Sequence, residues 1–484
     1  MIEEFEYKGK WWLPDKPQKQ VSGVLKFNPN NGAILDLEGV FEDITIEEEI
    51  SNAINTGNPV IKNIPTNTLL QPEIILGVSS NGENITLYKC SEIKRNYSFP
   101  SLQSSCSFYV NFIFIGTHFL RREDIKLKNI FVRYSYLDEW VNISGFDIRN
   151  SDKEEVTIKY KEPAPIHVDI NENLRISIVF RTKSLPRVLN KVSIEQEALI
   201  QIETSEAMSF ENYREVIYYI RNFLSLATME PVYILFIEGM EENTYHRRTK
   251  IVYRELNIPK KHNLLSPFEM LFTFQDISDK FSFFLKNWFE KADLLRIVYD
   301  LYFSTFYNPY LYLENKFLNL IQGIETFHRR IHGGEYLPEK EYEVIYEKLI
   351  SAIPKEVNND FRNRLKEHLK YAYQFSLRKR LKEIFEEYYI LNEFIKDRDV
   401  FIDLAVSTRN YYVHYTGELR KHAAEGTELL RLTEKLKLIL EVCLLSSIGF
   451  SLDEIKNLFL RNHKKVNLLN YISGKNLLGG INDA

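Results

Sequence analysis

Apolar and polar residues alternate along roughly the first 200 positions and recur every three to four residues beyond about position 268, so strands are expected first and helices afterwards. Val24–Phe27 and Ala33–Leu37 flank Asn28-Pro29-Asn30-Asn31-Gly32, which predicts a hairpin with Gly32 at positive φ. Further strands are predicted at Ile74–Val78, Ile85–Tyr88, Phe108–Ile115, Ile130–Tyr134, Val156–Tyr160 and Ile176–Phe180, separated by Asn, Gly, Pro, Ser and charged clusters. Many short strands with turn signals between them predict a sandwich or barrel. A helical run, Phe210–Leu226, precedes two strand-like segments, Val232–Ile237 and Thr249–Arg254. Pro259-Lys260-Lys261-His262-Asn263 and Ser266-Pro267 read as a linker. Helices are predicted near 276–290, 292–305, 310–331, 339–352, 358–373, 378–394, 397–415, 424–447 and 452–463. The expected architecture is a β-rich, sandwich- or barrel-like domain over 1–258 followed by an all-α helical bundle over 259–484.

A length of 484 residues, about three times the ~150-residue domain prior, predicts two or three domains. The 484 residues are 44% hydrophobic and include 29 Tyr and 32 Phe, enough apolar material for large cores. The formal net charge of −5 argues against a generally basic nucleic-acid coat. It is uneven: residues 1–250 hold 28 basic and 35 acidic side chains, residues 251–484 hold 34 and 32. Cys90, Cys106 and Cys443 lie far apart, which excludes a thiolate zinc site and suits a reducing cytosol. No signal-peptide pattern opens the chain, and the longest apolar stretch, Leu438–Phe450, is too short for a bilayer and contains Glu441. A cytoplasmic location is expected.

Phosphate loops, zinc-protease and nucleophile-elbow motifs and calcium loops are absent. Two Glu-x-Lys triplets, Glu92-Ile93-Lys94 and Glu454-Ile455-Lys456, fit a metal nuclease but are common by chance. His328 and His332 have helical spacing without a third metal ligand nearby, and the alternative is two polar residues on a solvated helix end. No cofactor is implied.

The informative stretch is Ser407–Gly417. On a helical wheel of about 100° per residue, Phe401, Leu404, Ala405, Thr408, Tyr411, Tyr412 and Tyr415 share one broad face. Ile402, Val406 and Val413 form a second apolar stripe with Arg409 on its edge, and Asp403, Ser407, Asn410 and His414 a narrow polar one. Two apolar sides predict burial against the bundle and against a partner subunit, with the polar stripe lining a crevice. Near the helix end marked by Gly417, the helix dipole favours the His414 imidazolium, which suits proton transfer. Arg409 offers bidentate geometry for a phosphate, and Asn410 sits one turn below His414. Arg409 and His414 are five apart, ~140° around an ideal helix, so they converge only if Arg409 snorkels or the last turn deforms. Taken bare, such a pair also fits a structural salt-bridge role.

The context resembles a known family. Arg409-Asn410, three residues, then His414 resembles the Arg, four-to-six residues, His signature of HEPN ribonucleases. Leu313–Arg330 resembles the first part of the HEPN domain of ApeA-type anti-phage proteins, and Arg380-Leu381 fits the same pattern. Gly9-Lys10-Trp11-Trp12-Leu13-Pro14 and Ser22-Gly23-Val24-Leu25 resemble the start of the ApeA N-terminal domain. The resemblance implies a metal-independent endoribonuclease that homodimerises through its HEPN domain, acts in phage defence by cutting RNA and arresting growth, and is restrained or triggered at its N-terminal domain by an unknown phage signal. It assigns Arg409, Asn410 and His414 as catalytic and Glu325 as an acidic partner of the signature Arg; a solvated helix Glu is the alternative for Glu325.

Arg378, Lys379, Arg380 and Lys382 form a basic run that can hold RNA backbone or simply face solvent. Tyr411 and Tyr415 can stack on a base, but their wheel positions favour core packing. The Ile402/Val406/Val413 stripe is the expected dimer face. A non-catalytic HEPN-fold module that binds a ligand or partner is the alternative to an enzyme.

Overall fold

The computed structural model describes residues 4–41, 70–98, 103–151, 155–184, 189–190, 193–242, 248–255 and 263–472. The chain forms two compact units, residues 1–224 with 232–265 and residues 225–231 with 266–484. Residues 259–262 of the expected linker lie outside the described residues.

The described strands of the first unit are β1 (Phe5–Trp12), β2 (Val21–Asn28), β3 (Gly32–Leu37), β4 (Ile74–Ser79), β5 (Asn84–Ser98), β6 (Gln103–Ile115), β7 (Lys126–Tyr134), β8 (Phe146–Ser151), β9 (Glu155–Tyr160), β10 (Ile166–Asn171), β11 (Leu174–Ser184), β12 (Ile194–Ser209), β13 (Ile234–Met240) and β14 (Arg248–Tyr253). A short helix α1 (Leu137–Val141) and a long one, α2 (Phe210–Thr228), accompany them. Six strands close into an antiparallel barrel in the order β6-β3-β2-β1-β4-β5, with β5 pairing back to β6. One edge of β6 is shared. Its Cys106–Val110 segment pairs β3 and its Phe112–Ile115 segment pairs β14, which starts the extension β14-β13-β7-β12-β11-β10.

The expected hairpin is β2–β3, with Asn28 facing Gly32 and Gly32 at φ 89°. Leu25, Leu35, Ile75, Ile85, Leu87 and Phe108 fill the barrel. Trp11 is fully buried, and a Cβ on Gly77 would sit 2.2 Å from its ring, so only glycine allows that packing. The alternation signal misses β12, the longest strand among the described residues, because it is central: residues 197–200 are buried consecutively. Glu197 is one of them, and it is held there by Lys183 at 2.6 Å, Arg181 at 3.3 Å and Arg133.

In the second unit the described helices are α3 (Phe274–Ile277), α4 (Phe281–Glu290), α5 (Ala292–Tyr307), α6 (Leu313–Ile331), α7 (Glu339–Ser351), α8 (Asn359–Lys370), α9 (Leu377–Glu387), α10 (Leu391–Phe394), α11 (Arg398–His414), α12 (Gly417–Arg420), α13 (Gly426–Ile448), α14 (Leu452–Arg461) and α15 (His463–Ile472). Two expected helices are broken. The 276–290 run is split by a turn at Ser278–Lys280, and 378–394 divides at Tyr388, whose φ −102° and ψ 67° leave the helical region. Helix α13 is buried almost all round from Leu438 to Leu445, which makes it the axis of the bundle. Glu441, inside that stretch, accepts a 2.9 Å hydrogen bond from the Tyr302 hydroxyl and pairs with the equally buried Lys465. Among the described residues no helix is long and apolar enough to cross a membrane.

Candidate functional site

Helix α11 is bounded by two residues in left-handed backbone, Asp397 at φ 57° and Tyr415 at φ 51°, a conformation that aspartate tolerates and a tyrosine rarely adopts. The helix therefore ends on His414, with the Tyr415 N–H closing on the Tyr411 carbonyl at 2.6 Å. Gly417, expected to mark the end, instead opens α12. Strain on a bulky residue persists only where its surroundings over-determine it, and such positions cluster at functional sites.

Phe401, Ile402, Ala405, Thr408 and Tyr412 are the buried positions of α11. Phe401 packs 5.7 Å from Phe385 of α9, and Tyr412 packs 6.1 Å from Phe317 of α6. These contacts fix the helix and leave its polar stripe accessible. Asp403 binds Arg378 of α9, Asn410 is half-buried and His414 is exposed. The Arg409 Nη1 donates to Asn410 Oδ1 at 3.2 Å. Arg409 and Asn410 are thus brought together. Among the described residues, His414 forms no hydrogen bond or ion pair with either, and its ring is left to solvent.

Ile402 corrects the expected dimer stripe. It has no exposed surface and belongs to the unit's own core, whereas Val406 is half-buried and Val413 is 50% exposed. The stripe is therefore not one continuous outward face.

The basic run is also not one surface. Arg380 is 1% exposed; its Nη1 donates to the Gly333 carbonyl at 2.7 Å and meets His328 Nδ1 at 3.0 Å, while Nε donates to the Phe375 carbonyl at 3.2 Å. That guanidinium is spent on holding the turn after α6 and is withdrawn from any RNA. Lys379 pairs with Glu383 at 3.1 Å, Arg378 with Asp403, and Lys382 is half-buried. His328, read as a solvated helix residue or half of a metal pair, is neither. Its Nδ1 accepts from Arg380 and its Nε2 donates to Glu383 at 2.9 Å, and burial with the Arg380 charge lowers its pKa to about 4. Glu325 pairs with Arg329 at 3.0 Å, one turn along its own helix, and not with Arg409.

The Glu-x-Lys triplets have structural roles. Glu92 is buried and binds Arg95 through both oxygens at 2.5 and 2.6 Å. Glu454 caps α14 through Ser451, and Lys456 pairs with Glu393 at 2.6 Å. No group of three or more His, Cys, Asp or Glu placed to hold a metal occurs among the described residues.

Sequence reasoning missed an open pocket of about 530 Å³ on the other flank of the α11 end. Tyr411, Tyr412 and Tyr415 line it together with Tyr312 and Glu314 from the start of α6 and with Arg420. The rings of Tyr411, Tyr412 and Tyr415 form one cluster with centroids 5.0 to 6.0 Å apart. Burial, with help from Glu314 and Glu425, pushes the Tyr412 phenol up to about 12, so that ring is neutral near pH 7. The sequence signal was the Tyr-rich end of the helix, but its wheel positions pointed inward. The left-handed turn at Tyr415 leaves that ring 65% exposed.

Two family models match the chain. ApeA N-terminal domain 1 matches residues 6–288 and Apea-like HEPN matches residues 318–454, a span that includes Arg409, Asn410 and His414. The first match runs past the β-rich unit and takes in α3 and most of α4. Searches of curated proteins and of solved structures return no match.

Proposed function

The chain belongs to the family defined by ApeA N-terminal domain 1, with an ApeA-like HEPN domain following it, and from that premise we propose that it is an anti-phage endoribonuclease whose catalytic groups are Arg409, Asn410 and His414. The observation that carries the reading is their placement on the last two turns of one helix, with Arg409 anchored to Asn410 and the His414 ring open to solvent.

In the proposed reaction, His414 accepts the proton of an RNA 2′-hydroxyl while the oxygen attacks the adjacent phosphorus. The same residue of a dimer mate protonates the departing 5′-oxygen. Arg409 stabilises the charge that grows on the non-bridging oxygens, and Asn410 fixes the direction of the guanidinium. The products are a 2′,3′-cyclic phosphate and a 5′-hydroxyl. Because the substrate supplies its own nucleophile, the reaction is metal-independent and confined to RNA. The five-residue spacing of Arg409 and His414 is accommodated in a homodimer, where the two groups on one phosphate come from different subunits. The β-rich part, residues 1–258, senses the phage signal or restrains the effector part, residues 259–484. The protein acts in the cytoplasm, and growth arrest follows from RNA loss.

The test is cleavage of total RNA by the purified full chain in EDTA. Arg409→Ala and His414→Ala are each expected to lose at least about 10²-fold in rate, the scale of a general acid–base group, with unchanged circular dichroism. If both variants cut as well as the parent, the assignment is wrong. If the parent binds RNA without cutting it, the chain is a HEPN-fold binding module.

A further inference from the structure

The tyrosine pocket plays no part in the chemistry above, and its make-up is that of a base site. Among its lining residues the sole cation is Arg420, against two carboxylates, Glu314 and Glu425. Arg420 is already committed to Glu425, through contacts of 2.8 and 3.3 Å. A phosphodiester meets net repulsion here. An uncharged planar ring does not: it gains stacking on the tyrosine faces, and its edge N–H groups gain acceptors in the Glu314 carboxylate. The volume, about 530 Å³, lies within the range of small-ligand clefts and exceeds what one base fills, consistent with an open mouth. Tyr312 and Tyr415 are 77% and 65% exposed, so their faces are available without rearrangement. Tyr411 lies one helical turn before His414, the spacing at which side chains are neighbours about 5–6 Å apart at Cβ.

We propose that this pocket receives one base of the RNA strand, flanking the phosphate on which Arg409 and His414 act. The proposal rests on the nuclease reading for the identity of the strand and adds a base-binding subsite to it. Single-stranded substrate follows, because a paired base cannot enter a stacking pocket edge-first.

The test is fluorescence anisotropy on the full chain with a short 2′-O-methyl RNA, which retains its bases but has no 2′-hydroxyl to attack. Tyr415→Ala and Tyr312→Ala are each expected to weaken binding about 5- to 150-fold, the worth of stacking one base on an aromatic ring. Tyr415→Phe is expected to bind as the parent does, and an abasic strand of equal length is expected to bind parent and Tyr415→Ala equally. Alanine variants that bind the base-bearing strand normally overturn the proposal, as does an equal loss with the abasic strand. A nucleoside monophosphate that competes as well as the strand overturns it too, since the occupant is then a free nucleotide. Cleavage is not needed for this readout. RNA cutting with normal Tyr415→Ala binding removes the subsite alone, and stacking without RNA cutting removes the nuclease reading alone.

Discussion

The hydroxyl of Thr408 accepts a 2.9 Å hydrogen bond from the backbone N–H of Ala424, and one turn on the Tyr412 phenol donates to the carbonyl of the same residue at 3.2 Å. Both backbone polar groups of buried Ala424 are thus satisfied by α11, immediately before Arg409 and immediately before Val413. The segment from Arg420, at the end of α12, to Glu425, just before α13, is tied to the helix that carries the candidate catalytic residues. Thr408→Val keeps the shape and removes the acceptor, leaving a buried N–H without a partner. The expected cost is about 1–3 kcal/mol, read as a lower urea midpoint with an unchanged m-value.

His328 makes stability depend on pH. Its folded pKa, about 4, lies below the unfolded value of 6.5, so below pH ~6.5 the unfolded chain binds a proton that the native site refuses. The stabilisation is complete above pH ~6.5 and is lost as the pH falls towards 4, with a slope of at most about 1.4 kcal/mol per pH unit. Urea titrations between these limits are expected to show a smaller pH slope for His328→Gln than for the parent.

Glu441, Lys465 and Tyr302 form a buried polar triad within the bundle. Removing one charge strands the other, so Glu441→Ala is expected to cost about 3–5 kcal/mol. Replacing both, as Glu441→Leu with Lys465→Met, is expected to recover much of that loss. Chemical denaturation of the two variants decides it.

Arg380 and Lys382 lie two residues apart and are expected to behave differently. Arg380→Gln breaks a buried network and is expected to lower thermal stability. Lys382→Gln is expected to leave stability unchanged and to reduce the salt dependence of single-stranded RNA binding by about 0.7, one phosphate contact. Paired melting curves and binding titrations over ionic strength separate the two roles.

How far the sequence could be read depended on whether the deciding contacts were local. The β2–β3 hairpin and the span of α11 follow from Gly32 and from 3.6-residue periodicity to within a residue or two, although the end of α11 is set by Tyr415 and not by Gly417. Closure of the barrel depends on β5 returning to β6, a pairing that periodicity does not encode. Arg380 reads as part of a basic run because its partners, His328 and the Gly333 carbonyl, lie about fifty positions away and reach it only in the folded bundle. Ile402 and Tyr415 exchange their expected roles for similar reasons. A helical wheel cannot tell which of two apolar stripes faces the core, and it does not anticipate a left-handed tyrosine that turns its ring out.

In the proposed reaction His414 and Arg409 drive 2′-hydroxyl attack on RNA. Sequencing of RNA ends after induction of the full chain in growing cells tests it most directly, with His414→Ala as control. The expected result is a set of new ends bearing 2′,3′-cyclic phosphates that are absent from the His414→Ala cells. New ends carrying 5′-phosphates, or the same cyclic ends in the His414→Ala cells, would contradict it.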